Sequence, residues 1–459
     1  MDLEAVALAI SEPGRHLLGE LPAYDPQLAI RLSDGLRRRG IDPKLVAAAL
    51  TQSRLRAKAR AKFGQFADQM LFTDEGLQQA TRLDVAARHA ERYLQGAPGQ
   101  AGQPGAAPDS GPSPDLDPAD IRVVDLTGGV GGDALAMAAL GLRVTVYERD
   151  PVTAAVARAN LAAFPEARVI LADSLSQDLT EADALFADPS RRTASGRRVF
   201  DPSDYDPPLD QVVGLARQHA IGIKVAPGIA HRFIPPQAEA QWVSVDGAVV
   251  EAGLWFGWLR CPAAREQTDQ SAGPYRTALV IRHGRARLLA PNSAPGAPLQ
   301  TDNAADADRP HQVPARCAGR GSGRLEVGPL QDFIYEPDGA VIRAALIAEA
   351  AAPLGSATLV SPRIAYVTAA RATVENPFLT GYQVEDAFDF NLKRLRAYLR
   401  QHGIGQVVVK KRGTAVDPAE LRKRLTLKGD GEAVVILTRL GARQSVVIAR
   451  PLADSKDSP

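Results

Sequence analysis

The amino-acid sequence predicts an α/β protein with a parallel sheet covered by helices, a helical region before it and a small α+β domain after it. Short apolar segments without polar alternation recur between residues 120 and 260, which is typical of parallel strands buried on both faces. A glycine-rich turn follows the first of these segments. Two stretches rich in Pro, Gly and Ala divide the chain and predict flexible linkers.

These features predict three domains, which the length of 459 residues can accommodate. In chain order we expect a helical domain at 1–95, a linker at 96–118, the α/β domain at 119–289, a linker at 290–323 and the α+β domain at 324–453.

Composition narrows the classes of function. The net charge of +1 excludes bulk attraction to nucleic acid, so such a partner must be held by local patches. Cys261 and Cys317 are too few for a disulfide framework or a thiolate metal site. The first residues are acidic and are followed by Pro13, a pattern that is not typical of a signal peptide. No apolar run is long enough to span a bilayer. We therefore expect a cytoplasmic protein without a metal.

The N-terminal helices are punctuated by two prolines. Asp25 and Asp42 precede Pro26 and Pro43 and are predicted to cap helices that begin there. The basic run at 53–62 has two interpretations, a solvated helix face or a contact with an RNA backbone.

The α/β domain is predicted element by element from apolar runs and turn residues. The predicted parallel strands are 121–126, 144–148, 168–171, 184–187 and 221–225. The predicted helices are 133–140, 151–164 and 211–219. Later strand-like runs are 242–245, 249–256 and a hairpin of 278–281 with 286–289 around Gly284.

The C-terminal domain alternates strands and helices and ends in a strand pair, which favours an α+β domain of ferredoxin-like type. The predicted helices are 346–352, 390–402 and 418–425. The predicted strands are 364–367, 407–409, 434–438 and 445–448.

The glycine-rich turn lies between Asp125 and the first helix of the sheet. Its glycines remove Cβ atoms that would keep a ligand off the backbone, and they permit positive φ. They are Gly128, Gly129, Gly131 and Gly132. About twenty residues beyond the first glycine, Glu148 ends the second strand, where its carboxylate can accept hydrogen bonds from a ribose diol. Together these features predict a cofactor that contains adenosine.

The loose dinucleotide pattern G-x-G-x-x-A is also satisfied at 129–134, so NAD is an alternative. Asp125 before the glycines would repel a pyrophosphate but attract an ammonium group. Asp133 at the start of the helix would likewise oppose a phosphate and suits a cationic or zwitterionic ligand. A plain strand, turn and helix without a ligand is the third interpretation.

The turn resembles motif I of class I S-adenosylmethionine-dependent methyltransferases. The resemblance implies a Rossmann-like class I methyltransferase sheet with S-adenosyl-L-methionine as cofactor. The residues implied to hold the methionine end are Asp125, Thr127, the four glycines of the turn and Asp133. Glu148 would hold the ribose.

Two further segments are predicted to lie at the carboxyl ends of strands, where such sheets bind ligands. Asp173 and Ser174 follow the third strand, and the Asp173 carboxylate either accepts the adenine amino group or simply caps a helix. Asp188, Pro189, Ser190 and Arg191 follow the fourth strand.

Amino-group methyltransferases of nucleic acids carry Asp or Asn, two prolines and an aromatic residue at that fourth-strand position. Asp188 and Pro189 keep part of this pattern, whereas Ser190 and Arg191 depart from it. Arg191 could stack on a base or bind a phosphate. The departure leaves the acceptor atom open, and a simple Asp-Pro-Ser turn is the alternative. Lys224, at the end of the fifth strand, is either a cation of the site or a side chain that reaches outward to solvent.

The chain as a whole resembles bacterial class I methyltransferases with a THUMP-like C-terminal domain. The resemblance is carried by residues 72–81, 125–133, 187–192, 242–247 and 254–257. The core is also distantly similar to the trimethylguanosine-synthase type, which methylates a guanine amino group. The resemblance implies that 72–81 packs over the cofactor cleft, with Gln79 and Thr81 as polar candidates. A THUMP-like domain suggests an RNA substrate, tRNA or rRNA, by analogy.

Clustered bases near the C-terminus favour the same partner, since they can bind phosphates. They are Lys393, Arg394, Arg396, Arg400, Lys410, Lys411, Arg412, Arg422, Lys423, Arg424 and Lys428. We therefore predict a methyltransferase that acts on a base in RNA. The alternatives are an RNA-binding protein with a catalytically idle methyltransferase fold, an NAD-dependent oxidoreductase, and a methyltransferase of a protein or small molecule.

Overall fold

The structure is a computed structural model that describes residues 2–95, 117–192, 197–267, 273–291, 325–373 and 376–452. The predicted linkers 96–118 and 290–323 lie almost wholly outside the described residues. The chain divides into two compact units, residues 1–239 with 253–272 and residues 240–252 with 273–459.

The first unit begins with six helices, as the sequence predicts. They are α1 (Leu3–Ile10), α2 (Glu12–Glu20), α3 (Ala29–Arg38), α4 (Pro43–Phe63), α5 (Asp74–Gln79) and α6 (Leu83–Gln95). Asp42 caps α4 by accepting a hydrogen bond from the backbone N–H of Lys44 at 2.8 Å, with Pro43 at the first helical position. Asp25 instead forms a turn that precedes α3, since its carboxylate accepts from the N–H of Gln27.

A parallel sheet follows the helices. Its strands are β1 (Arg122–Asp125), β2 (Arg143–Glu148), β3 (Ala167–Leu171), β4 (Ala184–Ala187) and β5 (Ala220–Val225). They lie in the order β3-β2-β1-β4-β5, and each neighbouring pair is parallel. The last residues of β7 (Ala248–Trp255) extend this sheet beside β5. The chain therefore reverses its strand order between β1 and β4, which is where ligands bind in open α/β sheets.

Helices cover this sheet, namely α7 (Gly132–Ala139), α8 (Pro151–Leu161), α9 (Leu209–Gly214) and α10 (Pro262–Glu266). Every residue of β4 and β5 is buried, as the apolar runs predict, whereas the edge strand β3 exposes Ile170 and Leu171. One hydrophobic core contains Phe63 and Phe72 of the N-terminal region together with Phe186 of the sheet. The N-terminal helices and the sheet are thus packed as one body.

The second unit contains two groups of strands. The first group is β6 (Glu239–Val245), β7, β8 (Tyr275–Arg282) and β9 (Arg285–Leu289), in the order β7-β6-β8-β9. The predicted hairpin is confirmed, since β8 and β9 pair antiparallel around His283 and Gly284, both of which have positive φ.

The second group forms a seven-stranded sheet. Its strands are β10 (Phe333–Pro337), β11 (Thr358–Ser361), β12 (Ile364–Ala369), β13 (Leu379–Asp389), β14 (Ile404–Lys411), β15 (Gly431–Leu440) and β16 (Arg443–Pro451). Their order is β11-β12-β10-β13-β16-β15-β14. The apolar pattern of the sequence did not predict β10, β11 or β13.

Helices accompany this sheet, namely α11 (Gly339–Ala344), α12 (Ile347–Ala351), α13 (Leu392–Gln401) and α14 (Pro418–Leu425). Leu395 and Leu399 of α13 and Leu421 and Leu425 of α14 pack with one face of the sheet in a single core. The α+β class predicted for this region is confirmed.

Candidate active site

The turn after β1 requires glycine at three positions. The N–H of Gly128 donates to the carbonyl of Tyr147 at 2.9 Å, which lays the turn against the end of β2. A Cβ on Gly128 would lie 2.2 Å from Cγ1 of Val146. Gly129 and Gly131 have φ values of 54° and 82°, in the left-handed region that favours glycine. The backbone of the turn therefore carries no side chains at these glycines that would keep a ligand away from it.

Glu148 ends β2 and directs its carboxylate to the same turn. Its Oε2 accepts from the N–H of Gly129 at 2.9 Å, and its Oε1 accepts from the N–H of Asp150 at 2.8 Å. Burial raises the pKa of Glu148. A carboxylate offers about four acceptor positions, so acceptor capacity remains for the two hydroxyls of a ribose.

Asp125 is the last residue of β1, and only 2% of it is exposed. Its Oδ1 accepts from the N–H of Thr127 at 3.0 Å. Burial raises the pKa of Asp125 to about 8, and the charges of Asp133, Asp188 and Glu148 act in the same direction. The surroundings of β1 thus oppose ionisation of Asp125 in the ligand-free protein, and a ligand with a positive charge would favour the ionised carboxylate.

Asp125→Asn is expected to raise the Tm of the ligand-free protein at pH 8 and to raise it much less at pH 5. The carboxyl of Asp125 has a pKa of about 8 in the folded protein, whereas the pKa of an aspartate in an unfolded chain is about 3.9. Between these values the folded state binds more protons, so wild-type stability falls as the pH rises. Asparagine does not titrate, so its advantage grows up to pH 8. Thermal unfolding at both pH values measures this difference.

The matched control is Asp178→Asn, at an exposed carboxylate whose pKa is lowered by hydrogen bonds from Thr180. It should give no stabilisation at pH 8. An equal gain for Asp125→Asn at both pH values would show that the carboxyl is not held protonated by burial.

Asp173 and Ser174 follow β3, as predicted. The Asp173 carboxylate caps the short 3₁₀ helix Ser174–Ser176 by accepting from the N–H of Leu175 at 3.1 Å. Ser174 is buried and Asp173 is exposed. The helix-cap interpretation is thus observed, and it leaves acceptor positions on the carboxylate for another donor.

The loop after β4 is tied to the glycine turn. The N–H of Asp188 donates to Oγ1 of Thr127 at 2.6 Å. Pro189 is buried, and Ser190 exchanges backbone hydrogen bonds with Asp206 at 2.8 and 3.0 Å. Within the described residues, Nη1 of Arg191 is buried without a hydrogen-bond partner. Asp188 therefore stands beside the turn at a fixed position.

Lys224 points into this region, so of its two interpretations the structure agrees with a cation near the loop after β4 and not with an outward-reaching side chain. Its side chain is 8% exposed. Its Nζ donates to Oδ2 of Asp188 at 2.5 Å and to Oγ1 of Thr81 at 2.8 Å. A buried ammonium is stable only when it is paired, and Asp188 supplies the opposite charge.

The hydrogen bonds continue from Thr81 into the N-terminal helices. Oγ1 of Thr81 donates to Oδ2 of Asp133 at 2.6 Å, and Nδ1 of His89 lies 2.9 Å from Oδ1 of Asp133. Burial opposes ionisation of Asp133, but the hydrogen bonds from His89 and Thr81 and the charge of Lys224 lower its pKa. We call His89, Asp133, Thr81, Lys224 and Asp188 the polar chain. It connects the N-terminal helical region with the loop after β4.

The segment after α4 packs on the glycine turn. Asn160 of α8 accepts from the N–H of Leu71 at 2.7 Å and donates to the carbonyl of Val130 at 2.8 Å. A Cβ on Gly76 would lie 2.4 Å from Cγ1 of Val130. The packing of 72–81 on the glycine turn agrees with the arrangement that the resemblance implies.

Of the two polar candidates in that segment, only Thr81 joins the site. Gln79 is exposed and bonds to Glu75. The basic run at 53–62 is also used internally, because Arg54 pairs with Asp74 and Lys62 donates to three carbonyls at the end of α5. Burial lowers the pKa of Lys62 to about 8. The RNA-contact interpretation of this run therefore gains no support.

The fold and the site define a class I S-adenosylmethionine-dependent methyltransferase with a THUMP-like domain. The family of SAM-dependent methyltransferases matches residues 115–188, and a THUMP domain-like family matches 379–451. A third family, a domain of unknown function, matches residues 2–59. The chain belongs to the same family as an uncharacterized S-adenosylmethionine-dependent methyltransferase found in two strains of Mycobacterium tuberculosis. The two are 32% identical over 398 residues, which cover 84% of this chain and 91% of the relative.

Two other proteins share parts of this similarity. The chain is 46% identical over 65 residues to ribosomal RNA small subunit methyltransferase J of Alkalilimnicola ehrlichii, which covers 14% of this chain and 24% of that protein. A crystal structure described as a methyltransferase from Porphyromonas gingivalis W83 superposes with a TM-score of 0.62 at 18% identity. It covers 94% of this chain and 100% of that chain, and it shows the shared fold.

The donor set agrees with S-adenosylmethionine, which is the cofactor of this enzyme class. A positive sulfur or ammonium group would favour the ionised form of the buried Asp125 carboxyl, and Glu148 keeps acceptor capacity for a ribose. Across the described ranges, no group of three or more His, Cys, Asp and Glu side chains could hold a metal ion. No helix in the described part of the chain is long and apolar enough to cross a membrane.

Proposed function

We propose that this methyltransferase transfers a methyl group to an amino group of a base in RNA, tRNA or rRNA. The observation that carries the substrate class is an exposed basic surface on the THUMP-like part of the chain. The local similarity to a ribosomal RNA methyltransferase supports the same class.

The basic surface follows from the amphipathic pattern of α13 and α14. Their leucines are buried against the sheet, so the intervening bases face outward. We define the basic surface by its exposed members, Lys393, Arg394, Arg400, Lys411, Arg422, Lys423, Arg424 and Lys428. Clustered positive charge of this kind binds phosphates.

Three of the predicted bases do not belong to this surface. Arg396 is half-buried, and its Nε donates to the carbonyl of Arg424 at 2.6 Å. Lys410 and Arg412 pair with one carboxylate. Nζ of Lys410 donates to Glu336 at 2.6 Å, and Nη2 of Arg412 donates to the same carboxylate at 3.2 Å. Both side chains are half-buried. They stabilise the sheet internally, and the opposite charge of Glu336 reduces their attraction for a phosphate.

The proposed cofactor contacts follow the order of the strands. Asp125, Thr127, the four glycines of the turn and Asp133 would hold the methionine end. Asp133 accepts a hydrogen bond from Thr81. Glu148 would hold the ribose, and Asp173 with Ser174 the adenine. The exposed carboxylate of Asp173 and the remaining acceptor capacity of Glu148 support these roles.

The loop of Asp188, Pro189, Ser190 and Arg191 would present the acceptor base. Bound S-adenosylmethionine supplies an electrophilic methyl group on a positively charged sulfur. Lys224 holds the Asp188 side chain in place, so that its carboxylate can accept a hydrogen bond from an amino N–H. The base nitrogen would gain the methyl group as the bond from sulfur to that methyl breaks and its electron pair stays on the departing sulfur. The nitrogen would lose one proton, for which Asp188 is the adjoining acceptor. Positioning of this kind can supply most of the rate.

The direct test is transfer of labelled methyl from S-adenosylmethionine to total RNA, followed by mass spectrometry of the modified nucleosides. Label in an amino-methylated nucleoside supports the proposal. Label only in protein or small molecules of a nuclease-treated extract would assign a different substrate. Binding of RNA and cofactor without transfer would indicate an idle enzyme.

Replacing Arg422, Lys423 and Arg424 together by alanine is expected to weaken tRNA binding about tenfold at moderate salt. The slope of log affinity against log salt should also become shallower by about 0.7 for each phosphate that is no longer neutralised. Fluorescence anisotropy over a salt series measures both quantities.

The matched control is the triple alanine variant of Arg37, Arg38 and Arg39, which are also consecutive and exposed but lie at the end of α3. Its affinity and salt slope should equal those of the wild type. Equal losses in both variants would mean that α14 is not a specific RNA contact.

A further inference from the structure

We call residues 188–191, which would present the acceptor base, the acceptor loop. We propose that Phe200, with the arginines near it, is a stacking platform for an unpaired base next to this loop. This inference rests on the proposed function and adds a substrate contact that the methyltransferase motifs do not contain. It commits to a single-stranded nucleic acid as the occupant.

The backbone brings Phe200 beside the acceptor loop. The N–H of Val199 donates to the carbonyl of Arg191 at 2.8 Å, and Arg192 forms an antiparallel bridge with Arg198. Phe200 is the next residue after Val199. Its backbone is therefore only one residue, about 3.3 Å along an extended chain, from Val199, which is hydrogen-bonded to the acceptor loop.

The chain on the far side of Phe200 is anchored. Pro202 is buried, and Tyr205 is 3% exposed. Asp206 exchanges two backbone hydrogen bonds with Ser190. Phe200 itself is 85% exposed, although Pro202 and Tyr205 after it are buried. A large aromatic side chain is thus presented to solvent from a segment that is fixed at both ends.

The charges around Phe200 are mainly positive. Residues 191–192 and 197–204 contain four arginines, Arg191, Arg192, Arg197 and Arg198, against two aspartates, Asp201 and Asp204. The Asp201 carboxylate accepts two hydrogen bonds from Ser203 as a helix cap. Arg192, Arg197 and Arg198 are exposed and precede Phe200 in the two paired segments. An exposed aromatic ring beside exposed arginines is a combination that binds single-stranded nucleic acid, since bases stack on the ring and phosphates pair with the arginines.

This platform would replace one that the acceptor loop lacks. The enzymes that this loop resembles carry an aromatic residue where this chain has Arg191. Phe200 reaches the same loop from the paired segment, so the stacking contact is supplied from a different position. A protein partner is disfavoured because the surface offers one ring among charges rather than a continuous apolar patch.

The test uses the full-length protein with a short single-stranded oligoadenylate and the same sequence in a duplex. Phe200→Trp introduces an exposed indole, whereas the three native tryptophans, Trp242, Trp255 and Trp258, are all buried. We expect red-shifted emission that the single strand quenches and the duplex quenches much less. Phe200→Ala should weaken binding of the single strand about tenfold and raise the KM for RNA, with unchanged affinity for S-adenosylmethionine.

Phe66→Ala is the matched control, because Phe66 is 50% exposed in a 3₁₀ helix of the N-terminal region. It should bind the oligonucleotide as the wild type does. If the wild type binds RNA but Phe200→Trp emission is unchanged at saturation, the platform is refuted while the proposed function survives. If the wild type binds no RNA, both fall. If a protein extract free of nucleic acid quenched the Phe200→Trp emission and the single strand did not, the stacking platform would also be refuted.

Discussion

Asp188→Ala is expected to lower the kcat of RNA methylation by roughly 10²–10⁴-fold, the range for loss of a positioned proton acceptor. The affinity for S-adenosylmethionine should change by no more than a few fold. The physical reason is that Asp188 is fixed at the mouth of the glycine turn by its N–H bond to Thr127 and by Lys224. Its carboxylate would touch the acceptor rather than the donor. Steady-state kinetics and isothermal titration measure the two effects separately.

Asp188→Asn refines this prediction. The amide oxygen can still accept a hydrogen bond from an amino group, but it cannot take the proton and cannot neutralise Lys224. We expect activity between that of the wild type and that of Asp188→Ala. Asp178→Ala, an exposed aspartate after β3 in the same unit, should keep the wild-type kcat. If Asp188→Ala weakened cofactor binding as strongly as turnover, Asp188 would belong to the donor site instead.

Much of the first unit could be predicted because its signals are local. Parallel strands that are buried on both faces are apolar runs, and β4 and β5 are both buried at every residue. The glycine turn is also encoded locally, because positive φ and close backbone approach each require glycine at a particular position. The positions of Asp125, Glu148 and Asp188 at strand ends follow from the same runs.

The polar chain could not be read from spacing, because its members are far apart in sequence. Lys224 and Thr81 are 143 residues apart, and Thr81 and Asp133 are 52 residues apart. No pattern in the sequence marks His89 as a partner of Asp133. The resemblance to known methyltransferases indicated Thr81, but it also indicated Gln79, which lies in solvent. Only the tertiary packing of α5 and α6 distinguishes the two.

The missed strands of the second unit have a different cause. β13 contains Gly381, Glu385, Asp386 and Asp389 among its residues, and charged residues and glycine are disfavoured in strands. Tertiary pairing with β10 and β16 overrides that local preference. Glu336 of β10 also pairs with Lys410 and Arg412, although three strands separate β10 from β14 in the sheet order, and this removes two bases from the predicted RNA contact. A count of charges in sequence could not show this.

Lys224→Met is expected to reduce kcat strongly and to move the acidic limb of the pH–rate profile to higher pH. Without the ammonium group, Asp188 loses the positive charge that favours its ionised form. Its pKa must then rise, so the active carboxylate forms only at higher pH. A merely structural role for Lys224 would lower activity without moving this limb. The measurement is kcat against pH for wild type and variant.

The double variant Asp188→Asn with Lys224→Met separates charge pairing from packing. Breaking a buried ion pair costs roughly 3–5 kcal/mol when one charge is left uncompensated, and less here because 25% of the Asp188 side chain is exposed. Removing both charges should restore part of the stability that Lys224→Met loses in urea unfolding, although methyl transfer stays slow. If the double variant were less stable than Lys224→Met, the lysine would stabilise the site through its bond to Thr81 rather than through Asp188. Recovery of stability without recovery of activity would therefore assign Lys224 to the positioning of the carboxylate.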